Sequence, residues 1–343
     1  MLYGKQEESM INRRGFMIGT SGIFLSAVAG GKGRSAASSA QSLSRTKIVK
    51  TTISLVKTSD RQTGIKKAID LLGMNPVKDR DVLLKPNFNT ADRYPGSTHN
   101  DTLINLIRHL KYMGAKGIII GERSGPPDTA DVLKQKDIYT ICREMDVKLI
   151  NFEELPEDGW VKLKPEESHW RDGFYVAKPV LDSGCIVSTC CLKTHGFGGV
   201  FTMSLKLSVG VTHKRNMTEL HSSFLSMRKM IAEINQAYKP SLILLDGIEA
   251  FADGGPMEGL RKRADVIIAG TDRIAIDAAG LAVLKEIGSN KAIMGKKIFE
   301  QEQIARAVEL GLGVARTEDI EIVTGDDVSR RCAERLTTIL SRG

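Results

Sequence analysis

Short apolar runs rich in β-branched residues alternate along this chain with segments whose apolar residues recur at helical spacing. The runs predict strands at 47–56, 81–84, 117–121, 147–151, 185–191, 242–245, 266–269 and 318–323. The periodic segments predict helices at 63–72, 101–113, 131–145, 202–209, 222–238, 274–287 and 299–310. This alternation is typical of an α/β fold, with a mostly parallel or mixed sheet covered by helices on both faces.

Ionisable residues follow five of the apolar runs at the point where each run ends. They are Lys85, Glu122 with Arg123, Lys193 with His195, Asp246, and Asp272. Ligands of open α/β sheets bind beyond the carboxyl ends of the strands, so we expect these side chains to share one edge. Chains also leave a sheet into water, so polar residues after strands are common. The mixture of lysine, histidine and carboxylate favours a site.

The glycine-rich turn after the strand 185–191 contains more candidate site residues than any other segment of similar length. Lys193 and His195 lead into Gly198 and Gly199, whose backbone N–H groups could approach an anion. Lys193 would supply positive charge, and His195 could exchange a proton near neutral pH. The spacing matches neither the Walker loop nor the dinucleotide-binding fingerprint. A flexible turn with a solvated lysine is the alternative.

Other strand ends and loops add candidate ligands and carboxylates. We expect a catalytic set of Lys193, His195 and Asp246. We expect a ligand-binding set of Lys85, Asn87, Glu122, Ser124, Gly198, Gly199 and Lys206. Asp246, Glu249 and Asp277 are candidates to bind a divalent metal such as Mg²⁺ together with a phosphate. Asp277 lies between apolar neighbours, and a buried carboxylate needs a partner.

The first 29 residues have the order of a twin-arginine signal peptide. Arg13 and Arg14 are followed by Phe16, by an apolar stretch too short to cross a bilayer, and by small residues at 27–29. We therefore expect an exported, periplasmic or extracytoplasmic protein that interacts with the twin-arginine export machinery. The mature chain has no stretch that predicts a stable membrane span.

Composition narrows the possible partners. The chain has 343 residues and a formal net charge of +8, and its lysines and arginines are not concentrated in a long block. Because aromatic residues make up only 5% of the chain, stacking platforms for single-stranded nucleic acid are not expected. The basic surplus suits an anionic small molecule, and we predict no nucleic-acid partner. The sequence does not indicate an oligomeric state.

Several of these segments together resemble the family catalogued as domain of unknown function 362, over roughly residues 50–285. The resemblance is carried by Lys85-Pro86-Asn87, Glu122 to Gly125, Lys193-Thr194-His195, Lys206, Asp246-Gly247 with Gly255-Pro256, and Asp272 to Asp277. Arg123 departs from the family's usual turn. Some relatives carry a ferredoxin-like iron–sulfur module. This chain has five cysteines without a Cys-x-x-Cys pair, so a cluster within it is not expected.

Three functions remain open. The first is an exported soluble enzyme that acts on a phosphate- or carboxylate-bearing small molecule. The second is a redox or iron–sulfur-associated protein, suggested by the export signal, the relatives, and the cysteines at 185, 190 and 191. The third is an exported anion-binding protein without catalysis. The predicted organisation is a signal peptide at 1–29, a flexible linker at 30–46, one α/β domain at 47–330 with an insertion at about 153–179, and a C-terminal tail at 331–343.

Overall fold

The computed structural model describes residues 50–342. Each apolar run predicted as a strand coincides with all or part of a strand of the structure. The predicted signal peptide at 1–29 and linker at 30–46 lie outside the described residues. The strands are β1 (Thr51–Lys57), β2 (Asp81–Lys85), β3 (Gly117–Glu122), β4 (Lys148–Asn151), β5 (Trp160–Leu163), β6 (Phe174–Ala177), β7 (Ile186–His195), β8 (Val200–Thr202), β9 (Leu242–Gly254), β10 (Gly259–Gly270) and β11 (Ile320–Val323). The helices are α1 (Arg61–Asp70), α2 (Asn100–Tyr112), α3 (Thr129–Gln135), α4 (Ile138–Glu144), α5 (Lys178–Asp182), α6 (Met217–Ser222), α7 (Met227–Ile234), α8 (Arg273–Glu286), α9 (Lys291–Met294), α10 (Glu302–Glu309) and α11 (Asp327–Arg342).

A large mixed sheet organises the described part of the chain. Its strand order is β11-β1-β10-β9-β7-β2-β3-β4, and β8 pairs with the end of β7. Strands β9, β7, β2, β3 and β4 are parallel neighbours. The predicted fold class, a mostly parallel or mixed α/β sheet with helices on both faces, is confirmed.

Strand β10 corrects the prediction that five strand ends share one edge. It pairs antiparallel with both β9 and β1. Only residues 255–258 separate β9 from β10, and a connection this short can join antiparallel strands but not parallel ones. The carboxyl ends of β2, β3, β7 and β9 therefore lie at one edge of the sheet, whereas Asp272, after β10, lies at the opposite edge.

Three apolar cores cover the two faces of the sheet, because side chains alternate along each strand. On β9, Leu242 and Leu244 pack in the core that contains α1 and α2. Ile243 and Leu245 pack in the core that contains α8, α10 and α11. By the same alternation, the next residue, Asp246, projects towards α1 and α2.

Two of the predicted helices are interrupted. The segment 131–145 forms α3 and α4, separated at Asp137, which has a φ of 60°. The segment 222–238 contains the end of α6 and all of α7, with a loop between them that carries Phe224. The segment 202–209 is not an α-helix: it follows β8 and enters a 3₁₀ helix, Lys206–Val211.

The predicted insertion and tail have their own structure. The segment 153–179 contains β5 and β6, which form a separate two-stranded sheet. Residues 331–342, predicted as a tail, belong to α11 and bury Cys332, Leu336 and Leu340 against the core. Among residues 50–342, none of the helices combines the length and apolar character needed to cross a bilayer.

Candidate functional site

A cleft of about 680 Å³ lies at the edge where β2, β3 and β7 end. Its walls include six residues of the predicted set, namely Lys85, Asn87, Glu122, Lys193, His195 and Lys206. These residues are far apart in sequence, and they converge because parallel strands present their carboxyl ends at the same edge. Four lysines and one arginine line the cleft, and Glu122 is the one carboxylate that the described residues contribute to the lining.

Lys85 and Glu122 form a buried ion pair at the base of the cleft. Glu122 also accepts hydrogen bonds from the backbone N–H groups of Phe88 at 2.8 Å and Arg123 at 2.9 Å. The Lys85 ammonium also donates to the carbonyl of Pro86 at 2.7 Å. The charge of Lys85 is therefore neutralised within the protein, and this pair fixes the ends of β2 and β3 relative to each other.

Lys193 and Lys206 differ from Lys85 because neither forms an ion pair with a carboxylate in the described residues. We call them the unpaired lysines. Lys193 is fully buried and donates to the carbonyls of Gly96 and Pro256, the latter at 3.1 Å. Lys206 is partly buried in the cleft wall. Buried charges normally have a partner of opposite charge, so these two ammonium groups give the cleft a positive charge that no ion pair within residues 50–342 compensates.

Burial lowers the pKa of both unpaired lysines. The pKa of Lys193 falls to about 8, chiefly through burial. The pKa of Lys206 also falls to about 8, through burial and then through the charges of Lys193 and Arg123. Both groups remain mostly protonated at neutral pH. An anion in the cleft would favour their charged forms.

His195 is neutral in the free protein. Burial, followed by the charges of Lys206 and Lys193, lowers its pKa to about 2. Its Nδ1 atom is buried and has no hydrogen-bond partner within residues 50–342. His195 therefore presents an uncharged imidazole beside two ammonium groups, rather than a side chain that titrates near neutral pH.

Gly199 and Gly210 lack side chains, and the space beside them is occupied by the side chains of His195, Lys206 and Lys85. A Cβ atom built on Gly199 would lie 2.9 Å from Nδ1 of His195 and 3.1 Å from Cε of Lys206. A Cβ atom built on Gly210 would lie 2.8 Å from Nζ of Lys85. Real Cβ atoms essentially never approach within 3.0 Å, so glycine lets the backbone at 199 pack against His195 and the backbone at 210 pack against Lys85.

Arg123 and Lys214 add two further cations to the cleft lining. Arg123 is buried and donates to the backbone carbonyls of Ser124 at 2.6 Å and Val209. Burial lowers its pKa to about 10. Lys214 forms an ion pair with Glu153, outside the lining. Arg123 thus adds to the positive charge of the cleft.

Asp246 does not line the cleft, although it was predicted as a catalytic residue. It pairs in register with Cys191, two residues before Lys193, and it projects towards α1 and α2. There its carboxylate binds Nε of Arg61 at 2.9 Å, the hydroxyl of Tyr94 at 2.7 Å, and Thr102. With these partners it connects β9 to α1 and α2, which is a structural role.

The three carboxylates proposed to bind a metal do not form a common site. Asp277 is buried on α8 and accepts hydrogen bonds from the N–H groups of Ser204 at 2.7 Å and Leu205 at 3.1 Å. Burial raises its pKa to about 7. Asp246 has the partners described above, and Glu249 does not line the cleft. Within residues 50–342, no group of three or more histidine, cysteine, aspartate or glutamate side chains is arranged to hold a metal. These residues therefore do not fit a metal centre.

The remaining predicted ligands lie close to the cleft but differ in access. Asn87 lines it, and its Oδ1 atom is buried without a hydrogen-bond partner in the described chain. Ser124, Gly198 and Gly199 are outside the lining. Gly198 has a φ of 79°, which favours glycine, and its carbonyl accepts from Arg228 at 2.7 Å.

The profile of the family described as domain of unknown function (DUF362) matches residues 82–282. The chain belongs to this family. Every residue that lines the cleft falls within the matched segment. The family predicted from the successive motifs is thus confirmed.

Individual relatives of this DUF362 protein are distant. A thylakoid-associated protein of Synechocystis sp. is 24% identical over 217 residues, which is 59% of this chain and 63% of the relative. The lactate racemase apoprotein of Thermoanaerobacterium thermosaccharolyticum is 13% identical, with a TM-score of 0.39 over 58% of this chain and 50% of that one. A Thermotoga maritima protein is 16% identical, with a TM-score of 0.42 over 66% and 57%. The chain therefore spans half to less than two thirds of the length of these proteins.

Sequence reasoning missed the apolar part of the cleft of this DUF362 domain. Phe224 and Met227 lie in the segment 222–238, which was predicted as one helix, and both line the cleft. Phe197, inside the glycine-rich turn, and Met257, in the turn after β9, line it as well. A large aromatic residue among glycines was the available signal, because such a turn has no core of its own to bury it.

The five cysteines of the DUF362 protein are all buried, and none forms a disulfide. Burial raises the pKa of Cys191 to about 11, and it raises the pKa of Cys190 and Cys142 as well. Reactive thiols have lowered pKa values and access to solvent. The cysteines of the described residues therefore behave as small core residues.

Proposed function

We propose that this protein is an exported enzyme that binds an anionic, phosphate- or carboxylate-bearing small molecule in the cleft. One observation carries the proposal: Lys193 and Lys206 reach the cleft without a carboxylate partner among residues 50–342. A bound anion would compensate these charges, accept their N–H donors, and stabilise the protein by mass action. Arg123 and the neutral His195 would adjoin the same ligand.

The binding step is tested by titration calorimetry with inorganic phosphate, sulfate and oxalate at low ionic strength. Losing a charge-assisted hydrogen bond costs about 1.5–3 kcal/mol, so we expect Lys193→Met and Lys206→Met each to weaken binding roughly tenfold to a hundredfold. Lys111→Met is the matched control, because it removes the same charge from the exposed surface of α2. Equal affinities for all four proteins would refute the proposal.

The catalytic step assigns proton transfer to His195 once an anion compensates the neighbouring lysines. Burial lowers the pKa of this imidazole most and the charges of the lysines lower it further, so compensation of those charges would raise the pKa from about 2. We expect His195→Gln to keep anion binding and to lose turnover of phosphate monoesters or carboxylic acids that bind. Unchanged turnover in His195→Gln would exclude this role.

The second candidate function is an anion-binding protein without catalysis. It is favoured by one feature of the cleft: its lining carboxylate, Glu122, is already engaged by Lys85 and two backbone N–H groups. No other carboxylate in the described lining is available as a general base. Tight binding without turnover, over ligands that bind better than phosphate, would select this candidate over the enzyme.

Export by the twin-arginine route is part of the proposal. It rests on Arg13 and Arg14, followed by Phe16 and an apolar stretch. Replacing both arginines by lysine keeps the charge but removes the paired guanidinium groups. We expect the double variant to remain in the cytoplasmic fraction of a host with twin-arginine export, whereas the unchanged chain reaches the periplasm. Identical fractionation of the two chains would refute this route.

A further inference from the structure

The cleft has a second, apolar region beside its cationic floor. Phe197, Met217, Phe224, Met227 and Met257 line it. Methionine side chains are flexible and polarisable, and they adapt to apolar ligands of varied shape. The cationic and apolar regions share one cavity, so a ligand that fills it meets both.

Phe197 and Phe224 are the most informative members of this region because they are largely exposed. Their exposed fractions are 60% and 68%. A Cβ atom built on Gly198 would lie 3.7 Å from Sδ of Met227 and 3.9 Å from Cδ1 of Phe224. The turn that carries Phe197 therefore packs against the loop between α6 and α7 that carries Phe224. The two aromatic rings therefore line the same cleft from neighbouring segments, and we call them the apolar rim.

The apolar rim lies directly beside His195 and Lys206. The rings of His195 and Phe197 pack edge to face, with their centroids 6.1 Å apart. Gly199 places Nδ1 of His195 and Cε of Lys206 around one backbone position. The ammonium group of Lys206, the imidazole of His195 and the phenyl ring of Phe197 are therefore successive neighbours along the cleft.

We infer that the ligand of this cleft is an amphiphile, with an anionic head that binds the unpaired lysines and an alkyl or aryl body that covers the apolar rim. The inference rests on the proposed function and narrows its substrate class. A small, fully polar anion would leave Phe197 and Phe224 in water, whereas an apolar body would bury them and gain the corresponding hydrophobic free energy. Inorganic phosphate and short polar acids are therefore poor ligands compared with alkyl or aryl phosphates and carboxylates.

The test is a chain-length series measured by titration calorimetry below the micellar concentration of each ligand. Straight-chain carboxylates from acetate to octanoate, and phenyl phosphate beside inorganic phosphate, separate the head from the body. Each fully buried methylene strengthens binding by up to about fourfold. We expect octanoate to bind at least a hundredfold more tightly than acetate, and phenyl phosphate at least tenfold more tightly than inorganic phosphate.

Matched variants assign the effect to the rim. Phe224→Ala should weaken octanoate binding about tenfold and change phosphate affinity less than twofold. Leu225→Ala removes the neighbouring side chain, which is 87% exposed and does not line the cleft, so it should change neither affinity. Lys206→Met should weaken both ligands. These side chains are exposed or partly exposed, and circular dichroism checks that each variant folds.

The outcomes separate this inference from the function on which it depends. If phosphate binds and depends on Lys206, but octanoate binds no more tightly than acetate, the amphiphile is wrong and the anion site stands. If no anion binds, both fail. Sedimentation with phosphatidylglycerol vesicles, without affinity for monomeric octanoate, would assign the aromatic rim to a membrane surface and overturn the inference.

Discussion

Replacing Lys206 by methionine removes an ammonium from the cleft and keeps an unbranched side chain of similar length. We expect this change to stabilise the free protein while it weakens anion binding. The reason is that Lys206 has no carboxylate or hydrogen-bond acceptor in the described chain that a substitution would leave unsatisfied. A substitution that raises stability and removes binding is the signature of a charge kept for function.

The magnitude follows from the pKa of the lysine. Burial and the charges of Lys193 and Arg123 lower it from 10.5 to about 8. Each factor of ten in the acid constant corresponds to about 1.4 kcal/mol, so the charged lysine destabilises the folded state by at most roughly 3 kcal/mol. Solvent screens a partly exposed side chain. We therefore expect Lys206→Met to raise the free energy of unfolding by about 1–2 kcal/mol near pH 7.

The sign of the pH dependence gives a second, independent measurement. The folded pKa of Lys206 lies below its unfolded value, so between about pH 8 and 10.5 the unfolded chain binds more protons. The stability of the unmodified protein should therefore rise with pH relative to the variant across this window. The higher free energy of unfolding of Lys206→Met should be fully present below pH 8 and should disappear as the pH approaches 10.5.

The assay is urea unfolding followed by circular dichroism at several pH values, with anions other than chloride excluded. Lys85→Met is the contrasting variant: it leaves Glu122 buried without its lysine, which should cost about 3–5 kcal/mol. The reasoning would be refuted if Lys206→Met lowered the free energy of unfolding near pH 7. It would also be refuted if the free energies of unfolding of Lys206→Met and the unmodified protein differed by the same amount at pH 7 and at pH 10.

Three further outcomes follow from the geometry. Sulfate affinity, measured by calorimetry, should be constant below about pH 7 and fall on the order of tenfold by pH 9.5. The reason is that the unpaired lysines, with pKa values of about 8, lose their protons over this range. An affinity that does not change with pH would contradict their role in binding. Asp246→Asn should lower the free energy of unfolding by about 2–4 kcal/mol, because Arg61 loses its carboxylate, and leave sulfate affinity within twofold; a loss of binding would return Asp246 to the site. Gly210→Ala should destabilise the protein by about 1–3 kcal/mol, because its methyl group meets Lys85, and an unchanged urea midpoint would exclude that clash.

The fold class and most of the site were predictable because they depend on local pattern and on a general rule of sheet geometry. The runs that end at Lys85, Glu122 and His195 became β2, β3 and β7, parallel strands that bring those residues to one cleft. The direction of β10 was not predictable from its own residues. An apolar run has the same composition in either direction, and its partner strands decide which direction it takes.

The apolar rim escaped prediction for a related reason. Helical periodicity across 222–238 is compatible with one continuous helix, and only packing against the turn after β7 shows a break at Phe224. Likewise, α11 was taken as a tail because a C-terminal helix is stabilised by the core it covers, through Leu336 and Leu340, rather than by its own sequence.

The apolar runs establish which ionisable residues stand at the strand ends, because strands form along those runs. It did not determine which of those charges are neutralised. Lys85 has a glutamate 37 residues away in the chain, whereas Lys193 and Lys206 have no such partner within residues 50–342. Coulombic attraction and desolvation depend on distance and burial in three dimensions. The pairing of one lysine and not of the other two is therefore a property of the fold, not of the local sequence.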